Sequence, residues 1–202
     1  MDSVMHIVDS MRQVILALEL EPRTDDEMTN IIGLGMREAI YALYPDQQTP
    51  VFVNRFTAEY RTHFFAENAP QQLFGGVVAT LEELKQKGYY LAIATGKSRH
   101  GLDQVLAETG IGHLFMQTRC ADEARSKPHP QMLEEIMHEL DIKPTQAMMV
   151  GDTEYDMEMA QNAGVHPMGV SYGVHAPKRL QKYQPVHILD HIRELPAWLG
   201  SL

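Results

Sequence analysis

Three short stretches of the 202-residue sequence place polar side chains where an open α/β sheet presents ligands, at the C-terminal ends of its strands. In LAIATGKS an apolar run ends at Thr95 and Gly96 just before a helical pattern, so a hydroxyl and exposed backbone N–H groups can face an anion. In RSKPHP, Lys127 precedes Pro128, which the pattern predicts at the first position of the next helix, and a lysine held there is a fixed positive charge for a phosphate. In MMVGDTEYDM, Gly151 allows a tight turn, and Asp152 and Asp156 stand four apart where a strand enters a helix. Two carboxylates so placed can converge on a hard cation such as Mg²⁺. Each stretch also has a plainer reading. Thr95 and Gly96 can be a turn and cap, Lys127 a solvated lysine, Asp152 an N-cap and Asp156 a first-turn acid favoured by the helix dipole. Their order and their shared place at strand ends favour the chemical reading.

The elements that must position these residues alternate from about residue 72 onward, which predicts a parallel sheet covered by helices. Helical patterns (VVATLEELKQKG, SRHGLDQVLAETG, HPQMLEEIMHELDI, EYDMEMAQNAG) separate β-rich runs (YYLAIAT, HLFMQTR, AMMVGD, HPMGVSYG). Gly88, Gly110 and Gly164 follow periodic segments, as helix-ending residues do. The N-terminal third is helical throughout. MDSVMHIVDSM spaces Met5, Val8, Met11 and Ile15 on one face. Thr24 with Glu27 three residues later predicts a capping box, followed by one helix through Ala39 that stops before Pro45. A second helical pattern spans about Val51 to Glu67, with Phe52, Phe56, Tyr60, Phe64 and Phe65 to one side. An all-helical segment ahead of the strands suggests a subdomain inserted into an α/β core.

Composition narrows the function classes. Seventeen Lys and Arg against 27 Asp and Glu give a net charge of −10, with no basic stripe to track a nucleic-acid backbone. Cys120 is the single cysteine and has no partner for a disulfide or a zinc site, which suggests a reducing compartment. No apolar run approaches the roughly 20 residues of a membrane span, and the N-terminus lacks an export pattern. The expectation is a cytoplasmic protein, monomer or homodimer, acting on a small molecule. The ten histidines show no zinc spacing; His129 is expected to serve its loop and His175 the mouth of the pocket. The 13 methionines and Cys120 are expected in the core, and Trp198 as an anchor for the last helix.

The chain resembles the haloacid dehalogenase superfamily, and within it the phosphoglycolate phosphatase-like members with a helical cap. ATGKS is similar to the family's Thr/Ser motif, SKPHP to its lysine motif and VGDTEYDMEMAQNAG to its acidic GDxxxD motif. The resemblance implies a Rossmann-like three-layer α/β core over residues 1–21 and 70–202, with an inserted helical cap over 22–69. It further implies that Thr95 and Gly96 bind the transferring phosphoryl group and that Lys127 neutralises nucleophile and phosphate. Asp152 and Asp156 would hold Mg²⁺, Asp152 being the more direct ligand. The loop around Gly33, Leu34, Gly35, Met36 and Arg37 would face the substrate, a small phosphorylated metabolite.

One family element has no match. The superfamily's first strand ends in a DxDGT motif that supplies the nucleophile and the general acid. Met1-Asp2-Ser3 resembles only the tail beyond it, and no Asp-x-Asp pair occurs elsewhere in the chain. That strand lies mid-sheet, so its loss would leave backbone groups unpaired at about 1 to 3 kcal/mol each. The favoured expectation is that Met1 is an internal methionine and that the nucleophile lies upstream; a shortened chain whose sheet closes another way is the alternative. The function implied is a Mg²⁺-dependent phosphatase working through a phospho-aspartyl intermediate. A phosphate- and metal-binding protein without turnover and a phosphomutase stay open as alternatives, while the acidic pair argues against a dehalogenase.

Overall fold

The computed structural model describes residues 3–66 and 72–201; the Met1-Asp2 pair and the expected cap boundary at 69 and 70 lie outside them. Helix α1 (Val4–Ala17) buries Val8, Met11, Val14 and Ile15; of the face its spacing predicts, Met5 stands exposed and Val14 takes a buried place instead. Residues 24–43, read as one helix from the sequence, form two: α2 (Asp25–Asn30) and α3 (Met36–Leu43). The chain breaks at Gly33, whose φ of +107° is costly for any residue with a Cβ. The Thr24 capping box is present, with the Thr24 side chain accepting from Glu27 N at 3.2 Å and Glu27 accepting from Thr24 N at 2.8 Å. Helix α4 (Pro50–Ala66) completes the group. Val8, Val14, Met28, Ile40 and Phe56 share one core, so α1 packs with α2–α4 around its own apolar centre.

The α/β part begins with α5 (Val77–Gln86) and β1 (Ala92–Thr95), then α6 (Arg99–Thr109), β2 (Gln117–Cys120) and α7 (Gln131–Leu140). It continues with β3 (Met148–Gly151), α8 (Glu154–Asn162), β4 (His166–Val170), α9 (Pro177–Leu180), β5 (Ile188–Leu189) and α10 (Leu195–Leu199). Strand β5, too short to show a period, is the strand that the sequence pattern does not reveal. All pairings are parallel, as the alternation predicts, but they form two sheets: β1 with β2, and β3–β4–β5. Among the described residues no ladder joins β1 to β3.

Two buried clusters hold the layers together. Met132, Met137, Met159 and Val165 pack α7 and α8 under the sheet, and Leu84, Met168, Val170 and Leu189 pack its other side, where Trp198 joins them. Most of the methionines and Trp198 thus take the apolar places expected of them, whereas Met5 and Met116 stand exposed. Cys120 is fully buried, and burial pushes its thiol up to about 12. No helix among the described residues is long and apolar enough to cross a membrane.

Candidate active site

Thr95 ends β1, Lys127 follows β2, and Asp152 follows β3, so three strand ends open on one side of the sheet. A cavity of about 1030 Å³ gathers Thr95, Gly96, Lys127, Gly151, Asp152 and Asp156 with the helical subdomain's Gly33, Leu34 and Arg37. The phosphate-binding, lysine and acidic candidates and Arg37 therefore border a single cleft, whereas His129 and His175 do not line it. Arg37 lies at its exposed rim, where its guanidinium pairs with Glu38 at 2.7 Å.

The lysine loop departs from its predicted form. Pro128 does not open a helix: α7 starts at Gln131 behind Pro130, and the Lys127–Pro128 peptide is cis. The turn is internally bonded, with His129 Nδ1 accepting from Gln131 N at 3.2 Å. Lys127 itself is 6% exposed, and its Nζ donates to Asp156 Oδ1 at 2.6 Å. Asp156 is the third residue of a capping box on Thr153, its Oδ2 accepting from Thr153 N at 3.0 Å and Thr153 Oγ1 at 2.8 Å. Burial raises the Asp156 carboxyl, but the Lys127 ammonium and the Thr153 bonds outweigh it and hold the group below the ordinary carboxylate range. Both of its oxygens are thus engaged within the protein.

Asp152 is different. Its Oδ2 accepts from Val174 N at 3.0 Å, while Oδ1 has no hydrogen bond among the described residues. Burial, and then the neighbouring Asp156 charge, push its carboxyl above the usual range. A carboxylate held up by burial and a like charge is stabilised by a cation. No group of three or more His, Cys, Asp or Glu able to hold a metal occurs among the described residues. That donor set fits Mg²⁺, which keeps several waters and takes one or two carboxylates plus a substrate phosphate. Gly173 makes room for this arrangement, because a Cβ there would lie 2.0 Å from Asp152 Cβ.

Several contributors escape sequence reading. Ser126 Oγ accepts from Gly35 N at 2.7 Å, Thr153 fastens Asp156, and the Lys97 ammonium lies 5.4 Å from the centre of the Phe64 ring, where burial lowers its pKa. His175 is buried at 2% exposure instead of standing at a pocket mouth; its Nδ1 accepts from Glu154 N at 3.0 Å. Ser126 (next to Lys127), Lys97 (inside ATGKS) and Thr153 (inside VGDTEYDM) lay in or beside motifs whose other residues drew the reading.

The segment from Ile31 to Gly35 lies directly on Gly96: a Cβ added there would be 2.5 Å from the Gly33 carbonyl oxygen and 2.7 Å from that of Leu34. Gly96→Ala is therefore expected to lower stability by about 1 to 3 kcal/mol, the usual range for overpacking. An unshifted urea midpoint would show that the two backbones are not held together.

A family model described as haloacid dehalogenase-like hydrolase matches residues 1–170. The chain is 35% identical over 169 residues to a Dickeya dadantii protein named "Probable phosphatase IndB", covering 81% of this chain and 73% of that one. It is 28% identical over 179 residues to a protein named pyrophosphatase PpaX from Anoxybacillus flavithermus, covering 88% and 81%. Its fold matches that of a hydrolase from Pseudomonas syringae with a TM-score of 0.89 at 17% identity, across 100% of this chain and 93% of that one. The match to the family model spans the helical subdomain and all three loops of the cleft, and the chain belongs to the haloacid dehalogenase-like hydrolase family.

Proposed function

We propose that the protein is a Mg²⁺-dependent phosphatase of a small phosphorylated metabolite. The observation that carries this reading is the convergence of Thr95, the buried Lys127–Asp156 pair and the half-buried, cation-seeking Asp152 on one cleft. In this reading the Thr95 hydroxyl and the backbone N–H groups beside Gly96 orient the phosphoryl oxygens. Lys127, fixed by Asp156, keeps a positive charge beside them as negative charge develops. Asp152 would hold Mg²⁺, which supplies charge neutralisation at the phosphoryl group. Arg37 and the Ile31–Gly35 segment, both from the helical subdomain, close over the leaving group.

Attack through a phospho-aspartyl intermediate needs a carboxylate free to approach phosphorus. Asp156 is held by Lys127 and Thr153, and the 202 residues contain no Asp-x-Asp pair. The reading therefore puts the attacking aspartate on a segment other than these residues, beside β1 and β3, which no ladder joins among the described residues. The pyrophosphatase among the relatives suggests that pyrophosphate is worth assaying beside carbon-linked phosphates.

The test is hydrolysis of p-nitrophenyl phosphate by protein purified from its natural source, with Mg²⁺ and after chelation. Turnover with Mg²⁺ that is lost on chelation and restored by added Mg²⁺ is expected. Turnover indifferent to chelation would overturn the metal assignment. Phosphate binding with no turnover would favour a binding protein, the second reading that the bound state of Asp156 allows.

A further inference from the structure

Each loop that carries a candidate catalytic residue also holds a part of the stretch Asn30–Gly35. On the lysine side Ser126 holds Gly35 N, and on the threonine side Gly96 lies against the Gly33 carbonyl. On the acidic side the grip falls on one residue, Asn30. Tyr155 Oη donates to the Asn30 carbonyl at 2.8 Å, His175 Nε2 reaches the same oxygen at 3.3 Å, and Arg179 Nη1 donates to Asn30 Oδ1 at 2.7 Å. Asn30 is the last residue of α2, so its carbonyl has no helical partner and is open to such a contact.

The gripping residues are themselves tied to the acidic loop. His175 Nδ1 accepts from Glu154 N, which leaves Nε2 as the protonated nitrogen that donates to Asn30. His175 N donates to the Asp152 carbonyl at 3.0 Å, and Arg179 pairs with Glu154. Asn30 is exposed and contributes nothing to the apolar centre of its own subdomain, which Met28, Ile40 and Phe56 build. Loss of its contacts leaves that subdomain able to fold.

We propose that Asn30 is a positioning residue: the clasp of Tyr155, His175 and Arg179 sets the pose of Ile31–Gly35 over Thr95 and Lys127, so that phosphoryl binding and subdomain placement are coupled. The proposal rests on the phosphatase reading for the identity of the ligand. Coupling of this kind is reciprocal, so a loosened clasp weakens the ligand just as the ligand tightens the clasp.

The experiment compares the 202-residue chain with Asn30→Ala, Asn30→Asp and the double variant Asn30→Ala, Tyr155→Phe. Two quantities are read: hydrogen exchange of the amides from Ile31 to Arg37, and titration calorimetry with inorganic phosphate in Mg²⁺. The double variant is expected to speed exchange in that segment and weaken phosphate, each by about tenfold, with α7 amides unchanged. Asn30→Asp keeps an acceptor for Arg179 and is expected to behave as wild type. Unchanged exchange in the double variant overturns the clasp. Faster exchange with unchanged phosphate affinity overturns the positioning role and leaves a structural tie. A wild-type chain that binds no phosphate overturns the coupling together with the phosphatase reading, and the exchange data then still show whether the clasp exists.

Discussion

Lys127→Met is expected to lower the free energy of unfolding by about 3 to 5 kcal/mol, because it strands a buried carboxylate. Asp156 is 3% exposed, and among the described residues its cationic partner is the Lys127 ammonium at 2.6 Å. Total stabilities run at about 5 to 15 kcal/mol, so the loss is a large share. The pH dependence gives the sign. In the wild type the folded pKa of Asp156 is depressed, so its contribution is present above the unfolded carboxylate pKa and fades as pH falls through the folded value. Without Lys127 burial dominates, the carboxyl moves up, and the deficit shrinks as acid protonates it. Adding Asp156→Asn to Lys127→Met removes the stranded charge and should recover part of the loss. Urea unfolding of the three proteins at neutral and mildly acid pH measures this, and a Lys127→Met deficit below about 1 kcal/mol, the size of an exposed pair, would contradict it.

Asp152→Asn is expected to have the opposite profile: a functional loss without a loss of stability. The amide keeps an oxygen for the Val174 N–H but no charge for a cation, so Mg²⁺-dependent turnover should fall by about a hundredfold or more, as when a charge-stabilising group is removed from a transition state. Burial and the Asp156 charge already hold the Asp152 carboxyl above its ordinary range, so its ionised form works against folding at neutral pH. Removing that charge should leave the urea midpoint level or higher. Undiminished Mg²⁺-dependent turnover, or a variant that unfolds more easily, would show that Asp152 serves the fold and not the ion.

The sequence made most of the α/β half legible because β1 to β4 and the helices between them carry their own patterns and stop signals, which the two-residue β5 does not. Thr95, Lys127 and Asp152 stood out because strand ends are where such a fold presents ligands. The break between α2 and α3 was less visible, since Met28, Ile31, Ile32 and Ala39 continue a helical spacing that only the backbone angle at Gly33 interrupts. The place of Pro128 was missed for a related reason: a proline before a helix has several allowed positions, and Pro130 took the one nearest α7. Arg179 had no local signal, and for Tyr155, inside the acidic motif, and His175, expected at the pocket mouth, nothing local pointed to Asn30. They meet Asn30 across sequence separations of 125, 145 and 149 residues, and only the folded chain brings them together.

The division of the strands into two sheets bears on how the protein keeps company in solution. Among the described residues, β1 and β3 each have a ladder on one side alone, beside a cleft walled by Val4, Ile7, Phe64 and Val150. A row of unmatched N–H and C=O groups next to apolar walls is a template for any extended chain that reaches it. Concentrated samples of these 202 residues should therefore self-associate through strand addition, and a soluble peptide of alternating β-branched residues should suppress that clumping by occupying the template first.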